Sequence, residues 1–539
     1  MKKITLLLFC IIVLAFCSCE KSKSLIESEE QSNLFALNKS TRTCPNCRNW
    51  SAITVTNSTM LKTTIENAES CTIINLPAGN YNVSSEIYIS KKCHLKIRGA
   101  GMGRTVLLLT KDVYNCFNIQ SDVHDLEICN MSIIGPATRN PIQGSDAIGS
   151  NLGVKNITNM NYHHLYIHNL VNGICLGGNP ENDPNSTTTT NFNAWVHDNI
   201  IEDVFRYTDL ENGPGNGYGI NNDNVWNVVI ENNIINRAGR HSIYQGRGRY
   251  IRISNNLILN HDFGQSSDNN FVALSVCRSS YVTVENNSIL RCNAIALGME
   301  KDCYPSVANI GFINNKLFGI QEFSPGAHLS GLYTDINCYE INAVFRHNIF
   351  PNYNNGIEFF YPDNGIDLTG YRNYPYIPTI KIGAYYYYIE NNILYKANYD
   401  YNTMAFSTIS SYPGWPNVLY FTGGQIGTVD KIYLICNGIL YEVNQNPWSC
   451  RYNASSAWNA TQSIAFAGGF VFIMHHGMLY RVDPIDWSTI YSSTSWFNFQ
   501  GMTAWNNNLY IMQNNVLHKI DINNLNYQIL DPQSYSAFP

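Results

Sequence analysis

Charged side chains are scarce in this sequence. Of its 539 residues only 14% are Asp, Glu, Lys or Arg, and the formal net charge is −6. Non-specific nucleic-acid binding needs a basic face, so we expect no nucleic-acid partner for a modestly acidic chain. Asn, Ser and Thr supply the polar character instead. A chain of this length can hold two or three domains or one long solenoid.

The first apolar stretch, residues 4–16, is too short to span a membrane. It follows Lys2 and Lys3 and precedes Ser18 and Cys19, an arrangement typical of a signal peptide. A small residue directly before a Cys at this place resembles the lipobox of bacterial lipoproteins, which implies lipidation of Cys19. We therefore predict a signal peptide over residues 1–19 and a lipid-anchored protein of the bacterial cell envelope, on the periplasmic or surface side of the outer membrane. Ordinary secretion is the alternative.

The cysteines lack the spacing of a zinc site. Cys44 and Cys47 form one Cys-x-x-Cys pair, but no second pair and no paired His follows at zinc spacing. A local Cys44–Cys47 disulfide is therefore the preferred interpretation, since export permits disulfides. Most later cysteines, Cys93 and Cys129 among them, stand alone in strand-like runs and are interpreted as small buried hydrophobes.

Residues 217–256 contain two copies of one unit: a short strand around Ile220 or Ile243, a polar turn, a β-branched run and a paired Asn. The copies end at Asn233 and Asn256, 23 residues apart, which leaves room for three short strands and no helical crossover. This period predicts a parallel coil stacked on its neighbours. Asn-bearing turns recur along the chain at Asn130, Asn199, Asn233, Asn256, Asn287, Asn315, Asn348 and Asn392. Asn tolerates the left-handed turn conformation and can form hydrogen-bonded ladders.

Three features occur in order before these coils: a helix pattern starting at Asn57, the sequence LPAGNY at residues 76–81, and GAGMGRT at residues 99–105. Together they resemble the N-terminal cap and first coils of the pectin-lyase-like right-handed parallel β-helices. The resemblance covers roughly residues 55–400. We predict an all-β chain with a flexible tether over residues 20–43, a right-handed parallel β-helix over residues 44–402, and a smaller domain after it. The segment around Tyr388 is interpreted as the last coil.

The C-terminal part, residues 403–539, shows a different repeat. Three similar strands begin at Ile439, Met478 and Val516, at intervals of 39 and 38 residues, and each follows a strand and a tight turn. This pattern resembles β-propeller blades. Only three to four blades fit, fewer than in a closed propeller, so a small propeller, an open stack of blades and a compact sandwich all remain possible.

Alignment of the coil strands predicts one functional face. In each strand an apolar residue such as Ile243 points into the core, and the residue before it is small, which predicts an open floor. The residue after it forms a column of Asn221, Tyr244 and Ser275 at neighbouring heights. Such a face suits an extended sugar chain.

Members of the pectin-lyase-like fold are mostly enzymes or binders of acidic polysaccharides, and the lyases among them cleave uronate chains by β-elimination. That reaction needs a base, an acid, and a group that neutralises the substrate carboxylate. We predict catalytic residues Tyr244, His241 and Arg247, with Tyr244 or His241 as base or acid. Arg247 or Arg278, together with Asn221, would hold the carboxylate, because the Arg fork matches it. The complete set of predicted substrate-binding residues is Asn221, Arg240, Arg249, Ser275, Arg278 and Lys301.

Two other functions compete with the lyase. A glycoside hydrolase would need two carboxylates, for which Asp223, Asp268, Glu300 and Asp302 are available, although the paired-aspartate motifs of polygalacturonase-type hydrolases are absent. A non-catalytic surface glycan binder or adhesin would need only the scaffold. The motifs of calcium-dependent pectate lyases are also absent, so we predict no required cofactor or metal and leave Ca²⁺ as an unsupported option.

Overall fold

The computed structural model describes residues 47–530, with gaps at 111–112, 137–144, 151–152, 178–190, 205–207, 210–212, 215–216, 262–271, 278, 293–294, 300–307, 319–329, 336–340, 347–356, 361–376, 402–404, 419, 446, 454–457 and 515. The described part is nearly all β-structure. Its helix, α1, spans Ser58–Asn67. The Asn57 side chain caps it by accepting a hydrogen bond from the Met60 amide at 3.1 Å. No helix in the described part is long and apolar enough to cross a membrane.

Within the part of the chain that the structure describes, two large parallel sheets are wound from successive coils. The larger sheet has 18 strands: β1 (Ser51–Thr54), β2 (Thr72–Leu76), β3 (Gly79–Val83), β5 (Cys93–Gly99), β6 (Thr105–Leu109), β8 (Val123–Ile134), β10 (Ile157–Leu170), β12 (Phe192–His197), β13 (Ile200–Val204), β17 (Trp226–Glu231), β18 (Ile234–Ala238), β20 (Arg249–Ser254), β21 (Leu257–His261), β23 (Ser280–Glu285), β24 (Ser288–Cys292), β26 (Ala308–Ile313), β27 (Lys316–Phe318) and β29 (Ile341–Arg346). The smaller sheet has ten strands: β4 (Ile87–Ile89), β7 (Asn115–Ile119), β9 (Asp146–Ser150), β11 (Asn172–Gly177), β16 (Tyr218–Asp223), β19 (His241–Gly246), β22 (Val272–Cys277), β25 (Ile295–Met299), β28 (Ser330–Asp335) and β30 (Ile357–Phe360). A two-stranded pair, β14 (Thr208–Asp209) and β15 (Gly213–Pro214), interrupts one turn.

The coils stack in register around an aliphatic core. Ile174, Ile220, Ile243 and Leu274 are consecutive partners on β11, β16, β19 and β22, and all four are fully buried. Continuous burial of such columns on both sheets supplies the hydrophobic stabilisation of the solenoid. The prediction of a parallel β-helix is confirmed.

A buried asparagine ladder connects five coils through Asn199, Asn233, Asn256, Asn287 and Asn315. Each Oδ1 from Asn233 onward accepts the backbone amide and the side-chain amide of the preceding Asn, at 2.9–3.1 Å. Each Nδ2 also donates to a main-chain carbonyl at 2.9–3.0 Å. The ladder therefore satisfies buried backbone groups at the corner between the two strands that each coil contributes to the 18-stranded sheet. Of the other predicted turn residues, Asn348 lies outside the described residues.

In the described residues, four antiparallel sheets of four strands each follow the β-helix. They are β31 (Thr379–Ile382), β32 (Tyr385–Glu390), β33 (Ile393–Asp400) and β34 (Ala405–Pro413); β35 (Tyr420–Ile426), β36 (Val429–Cys436), β37 (Ile439–Gln445) and β38 (Trp448–Tyr452); β39 (Thr461–Ala467), β40 (Phe470–His475), β41 (Met478–Val482) and β42 (Thr489–Ser495); and β43 (Phe499–Trp505), β44 (Asn508–Gln513), β45 (Val516–Ile520) and β46 (Tyr527–Ile529). These are the predicted blade-like units. The last of them contacts the β-helix through Thr503, 2.9 Å from Ser288, and Trp505, which donates to the Asn255 carbonyl at 2.6 Å.

The segment around Tyr388 does not form the last coil. It pairs antiparallel with β33, and the sheet it belongs to spans residues 379–413, across the predicted boundary at 402 and 403. Asn391 and Asn392 both have positive φ, 51° and 64°, which is the conformation of a two-residue hairpin turn. The chain therefore reverses at this Asn pair and does not continue into another coil.

The disulfide framework differs from the prediction. Cys47 is bonded to Cys71, with a Cα–Cα distance of 5.5 Å, so it is not paired with Cys44, which lies outside the described residues. Parallel pairing of β1 with β2 brings the two cysteines together, since Cys47 and Cys71 each precede one of these strands. Cys93 is also disulfide-bonded and is therefore not the isolated thiol that the sequence suggested. Cys116, Cys129, Cys175, Cys277 and Cys292 are reduced thiols, and all but Cys175 are buried.

Candidate functional site

The ten-stranded sheet carries the predicted column. Asn221 on β16 is the register partner of Tyr244 on β19, and Tyr244 is the partner of Ser275 on β22. Asn221 and Tyr244 are half-buried, whereas Ser275 is fully buried. The structure therefore brings the three residues together as the strand alignment predicted, with Tyr244 reachable from solvent and Ser275 covered.

The predicted floor of small residues faces inward and is a correction to the sequence interpretation. A Cβ added at Gly219 would lie 2.8 Å from Cγ2 of Ile235, and one at Gly173 would lie 3.0 Å from Cγ2 of Ile201. Ser242 and Ala273, at the same position of later strands, are fully buried. The two glycines have no space for a side chain, because the carbonyl oxygen of the neighbouring strand, at 2.3–2.4 Å from the added Cβ, and the facing strand of the other sheet both occupy it.

A second column lies beside it and consists of the residues two positions before the core residue of each strand, which is Phe117 on β7 and an isoleucine on the others: Asn115, Asp146, Asn172, Tyr218 and His241. Asn115, Asn172 and His241 are buried. Side chains of this column lie against the neighbouring column, which contains Gly149, Asn221 and Tyr244. A Cβ at Gly149 would lie 2.1 Å from Oδ1 of Asn115 and 2.9 Å from Oδ2 of Asp146. The face is therefore lined by two adjacent columns of polar and aromatic side chains.

Four residues at the middle of this face form what we term the Tyr244 cluster: Tyr218, Arg240, His241 and Tyr244. The ring centroid of His241 lies 5.2 Å from that of Tyr244 and 5.6 Å from that of Tyr218, and the two tyrosine rings are 5.6 Å apart. Cζ of Arg240 lies 5.3 Å from the centre of the Tyr218 ring. His241 is only 1% exposed, so Tyr244 is the more accessible of the two candidate proton-transfer groups.

Arg247 has a protein partner that the sequence did not reveal. Its Nε and Nη2 donate to the two carboxylate oxygens of Asp223 at 2.8 and 2.6 Å. Asp223 is the register partner of Gly246, which places the carboxylate directly beside the arginine. A Cβ at Gly246 would lie 2.8 Å from Cε1 of Tyr244 and 3.2 Å from Oδ1 of Asp223, so this ion pair flanks the Tyr244 ring. Arg247 and Asp223 therefore pair with each other and lie beside the Tyr244 ring.

Arg249 does not lie on this face. It begins β20 of the 18-stranded sheet, where Nε donates to the Ser280 hydroxyl at 3.1 Å and the guanidinium stacks on Trp226 at 5.2 Å. The short turn after β19 carries the chain from one sheet to the other, which separates Arg247 from Arg249. Arg278 and Lys301, as well as Asp268, Glu300 and Asp302, lie outside the described residues.

The sequence interpretation missed Asp146. Its Oδ1 accepts a hydrogen bond from Nδ2 of Asn172 at 2.7 Å, and Oδ1 of Asn172 in turn accepts from the amides of Gly217 and Tyr218 at 2.9 and 3.0 Å. The carboxyl is enclosed although the residue is half-buried, and desolvation raises its pKa to about 7. Burial and the nearby Asp146 carboxylate likewise raise the pKa of the Cys175 thiol. Asp146-Ala-Ile-Gly follows the same strand pattern as Asn172-Gly-Ile-Cys, so extending the alignment one coil back would have found it.

Asp146→Asn is expected to remove part of the pH dependence of stability. The pKa of Asp146 rises from 3.8 to about 7 on folding, so between these values the native chain keeps a proton that the unfolded chain releases. The contribution of Asp146 to the free energy of unfolding is therefore complete below about pH 4 and is lost as the pH rises through about 7. We expect a loss on the order of 1–2 kcal/mol, less than the full shift implies because the residue is half-buried.

The measurement is the calorimetric melting temperature at several pH values across this range. The wild-type melting temperature should fall relative to that of Asp146→Asn as the pH rises. Asp521→Asn, at an exposed position in the C-terminal part, is the matched control and should run parallel to the wild type. Parallel curves for all three proteins would show that Asp146 does not hold its proton.

Comparison with known proteins finds only distant similarities. No protein-family model and no curated protein matches the chain. Among solved structures, an alginate lyase from Paenibacillus sp. is 13% identical with a TM-score of 0.36 over 55% of this chain and 99% of that one. Tailspike protein 2 of bacteriophage CBA120 is 9% identical with a TM-score of 0.36, over 86% and 83% of the two chains. Endo-xylogalacturonan hydrolase from Aspergillus tubingensis is 11% identical with a TM-score of 0.34, over 57% and 91%. Similarity at this level carries no conclusion about the fold or the function of this chain.

Proposed function

We propose that this chain is a carbohydrate-active lipoprotein of the bacterial cell envelope that cleaves an acidic, uronate-containing polysaccharide by β-elimination. The lipid anchor at Cys19 is part of this proposal and rests on the sequence alone. The single observation that supports the reaction is the contact of His241 with Tyr244 on a two-column face of the ten-stranded sheet. Successive strands of this sheet are separated by about 4.8 Å, close to the repeat of an extended sugar chain, so the face can present equivalent positions to successive sugars.

The cluster contains the groups that β-elimination needs. Tyr244 and His241 supply a phenol and an imidazole side by side, which can divide removal of the C5 proton and protonation of the leaving oxygen between them. Arg240, held over Tyr218, and the Asn221 amide can stabilise the substrate carboxylate as charge develops. The Asp223–Arg247 ion pair packs beside Tyr244 and keeps its ring in place.

A glycoside hydrolase is the second candidate, favoured by Asp146. A carboxyl group whose pKa is raised to about 7 keeps its proton in about half of the molecules at neutral pH, and the protonated form can act as the general acid of a glycosidase. Asp223 is the carboxylate on this face that the sequence suggested for a hydrolase. Its ion pair with Arg247 makes it less suited to act as a nucleophile or base toward a sugar.

The test is to incubate the purified protein with a panel of uronic-acid polysaccharides while recording the ultraviolet absorbance of the unsaturated uronate. A rise on one glycan would establish β-elimination and identify its substrate. New reducing ends without absorbance would replace the lyase by a hydrolase and direct attention to Asp146. Binding to a glycan with neither signal would leave a surface glycan binder and would overturn the catalytic proposal.

A further inference from the structure

The 18-stranded sheet carries a second set of chemically active residues, on strands β8, β10 and β12. Cys129 is the register partner of His163, and His163 is the partner of His197. Glu127 precedes Cys129 by two residues on β8, so the two side chains leave the strand on the same side. Parallel pairing thus places a carboxylate, a thiol and imidazoles next to one another, although they are far apart in sequence.

Glu127, Cys129 and His163, which we term the Glu127 cluster, have one potential metal-ligating atom each, and these atoms all lie within 4.8 Å of one another. The Cys129 Sγ is 3.5 Å from Oε1 of Glu127, and the His163 Nε2 is 3.8 Å from the same oxygen. Tetrahedral zinc with ligand bonds of about 2.0–2.3 Å holds its donor atoms roughly 3.5 Å apart. Two of the three separations therefore already suit one metal ion.

From this geometry we propose that the Glu127 cluster is a Zn²⁺ site, with Glu127, Cys129 and His163 as ligands and the fourth position open to water. The mixed donor set favours a borderline transition metal over Ca²⁺ or Mg²⁺, which prefer oxygen ligands alone. The site is independent of the proposed function, because it lies on a different sheet from the Tyr244 cluster.

Surrounding residues orient the His163 ring. Its Nδ1 lies 2.8 Å from Nδ1 of His164, and its face stacks on His197 with centroids 4.8 Å apart. His197 is itself fixed, by Asp198 at 2.6 Å from its Nδ1 and by stacking on Trp195 at 3.6 Å. A hydrogen bond at one ring nitrogen leaves the other directed at the metal, which is the usual arrangement of metal-binding histidines.

Two cations compete with a metal for Glu127. Nε of Arg98 donates to Oε1 at 3.0 Å, and Nζ of Lys96 lies 3.2 Å from Oε2. Metal binding would take Oε1 from Arg98 and leave Oε2 with Lys96 and with Nη2 of Arg98, which donates to it at 3.3 Å. Arg98→Ala removes the competing guanidinium and its charge, so we expect this variant to bind Zn²⁺ more tightly than the wild type. The predicted effect has the opposite sign to that of losing a ligand, which separates the site from a general loss of structure.

The experiment titrates the metal-free purified protein with Co²⁺ and Zn²⁺ and follows the thiolate-to-cobalt charge-transfer band. The wild type should bind one equivalent and show the band. Cys129→Ser should lose the band and bind Zn²⁺ at least about 10-fold more weakly. His163→Ala should also bind Zn²⁺ at least about 10-fold more weakly. Cys450→Ser, which replaces an exposed free thiol on β38, is the matched control and should behave as the wild type.

Three results would overturn the proposal. One is the absence of a one-to-one complex with either metal. Another is a charge-transfer band that survives Cys129→Ser. The last is a Zn²⁺ affinity that Arg98→Ala and His163→Ala both leave unchanged. Circular dichroism of each variant verifies that the β-structure is retained, so that weaker binding reports on the ligands.

Discussion

Tyr244→Phe is expected to lower turnover of the acidic glycan by about 10²–10⁴-fold, the usual contribution of a positioned proton-transfer group. The substitution removes one hydroxyl and keeps the ring that packs against Tyr218 and His241. Its effect should therefore fall on kcat, with the melting temperature little changed. The rate of formation of unsaturated uronate, measured over a range of substrate concentrations, separates kcat from KM.

Tyr250→Phe is the matched control for this prediction. Tyr250 lies on β20 of the other large sheet and stacks on Tyr281 with centroids 5.0 Å apart, away from the Tyr244 cluster. Its hydroxyl should be dispensable for turnover. His241→Gln tests the partner: if proton transfer is divided between imidazole and phenol, this variant should also lose activity and change the pH profile. Wild-type rates in both Tyr244→Phe and His241→Gln would remove the cluster from the mechanism.

Asn233→Ala is expected to cost on the order of 3 kcal/mol or more of stability, the largest structural effect that we predict for a single residue. The Asn233 side chain accepts from the Asn199 amide at 3.1 Å and donates to the Val196 carbonyl and to Oδ1 of Asn256, both at 3.0 Å. All of these groups are buried, and each group left without a partner costs about 1–3 kcal/mol. The position is in the middle of the ladder, so coils on both sides lose contacts.

Calorimetric melting temperature measures this effect, with Asn398→Ala as the matched control. Asn398 is an exposed residue of β33, and its loss should shift the melting temperature little. In a solenoid each coil contacts mainly its neighbours, so we also expect the Asn233 variant to show a broader transition. An equal shift in the two variants would show that the ladder does not carry the stability assigned to it.

The prediction of the fold from sequence succeeded where a physical constraint repeats. Each coil must bury an apolar residue in the core and provide hydrogen-bond partners for the buried backbone groups at one corner. The isoleucines at residues 220 and 243 and the asparagines at residues 233 and 256 therefore recur at the same interval. Register between parallel strands follows from this repeat, which is why the amino-acid pattern was enough to align the Asn221–Tyr244–Ser275 column. His241 and Tyr244 lie three residues apart on β19, so their contact is formed within one strand and does not follow from the register.

Other parts of the site were not predictable, because they depend on contacts between coils. The Gly219 column was interpreted as an open floor, but whether a small residue faces solvent or a second sheet depends on the position of Ile235. The Asp223–Arg247 ion pair and the Cys47–Cys71 bond join residues of neighbouring coils. The Glu127 cluster has no sequence motif, because its histidine comes from the next coil.

The tetrapeptide Glu-Asn-Asn-Ile shows where local sequence stops being decisive. It occurs at residues 231–234 and again at residues 390–393. In the first copy only Asn232 has positive φ, Asn233 enters the ladder, and the chain continues into the next strand of the coil. In the second copy Asn391 and Asn392 both have positive φ, and the chain reverses into a hairpin. The sequence by itself determined that a turn occurs at both places, because Asn tolerates the left-handed conformation. Only the tertiary structure decided its direction, since Asn256 on the adjacent coil accepts from Asn233, whereas Asn392 lies in an antiparallel sheet.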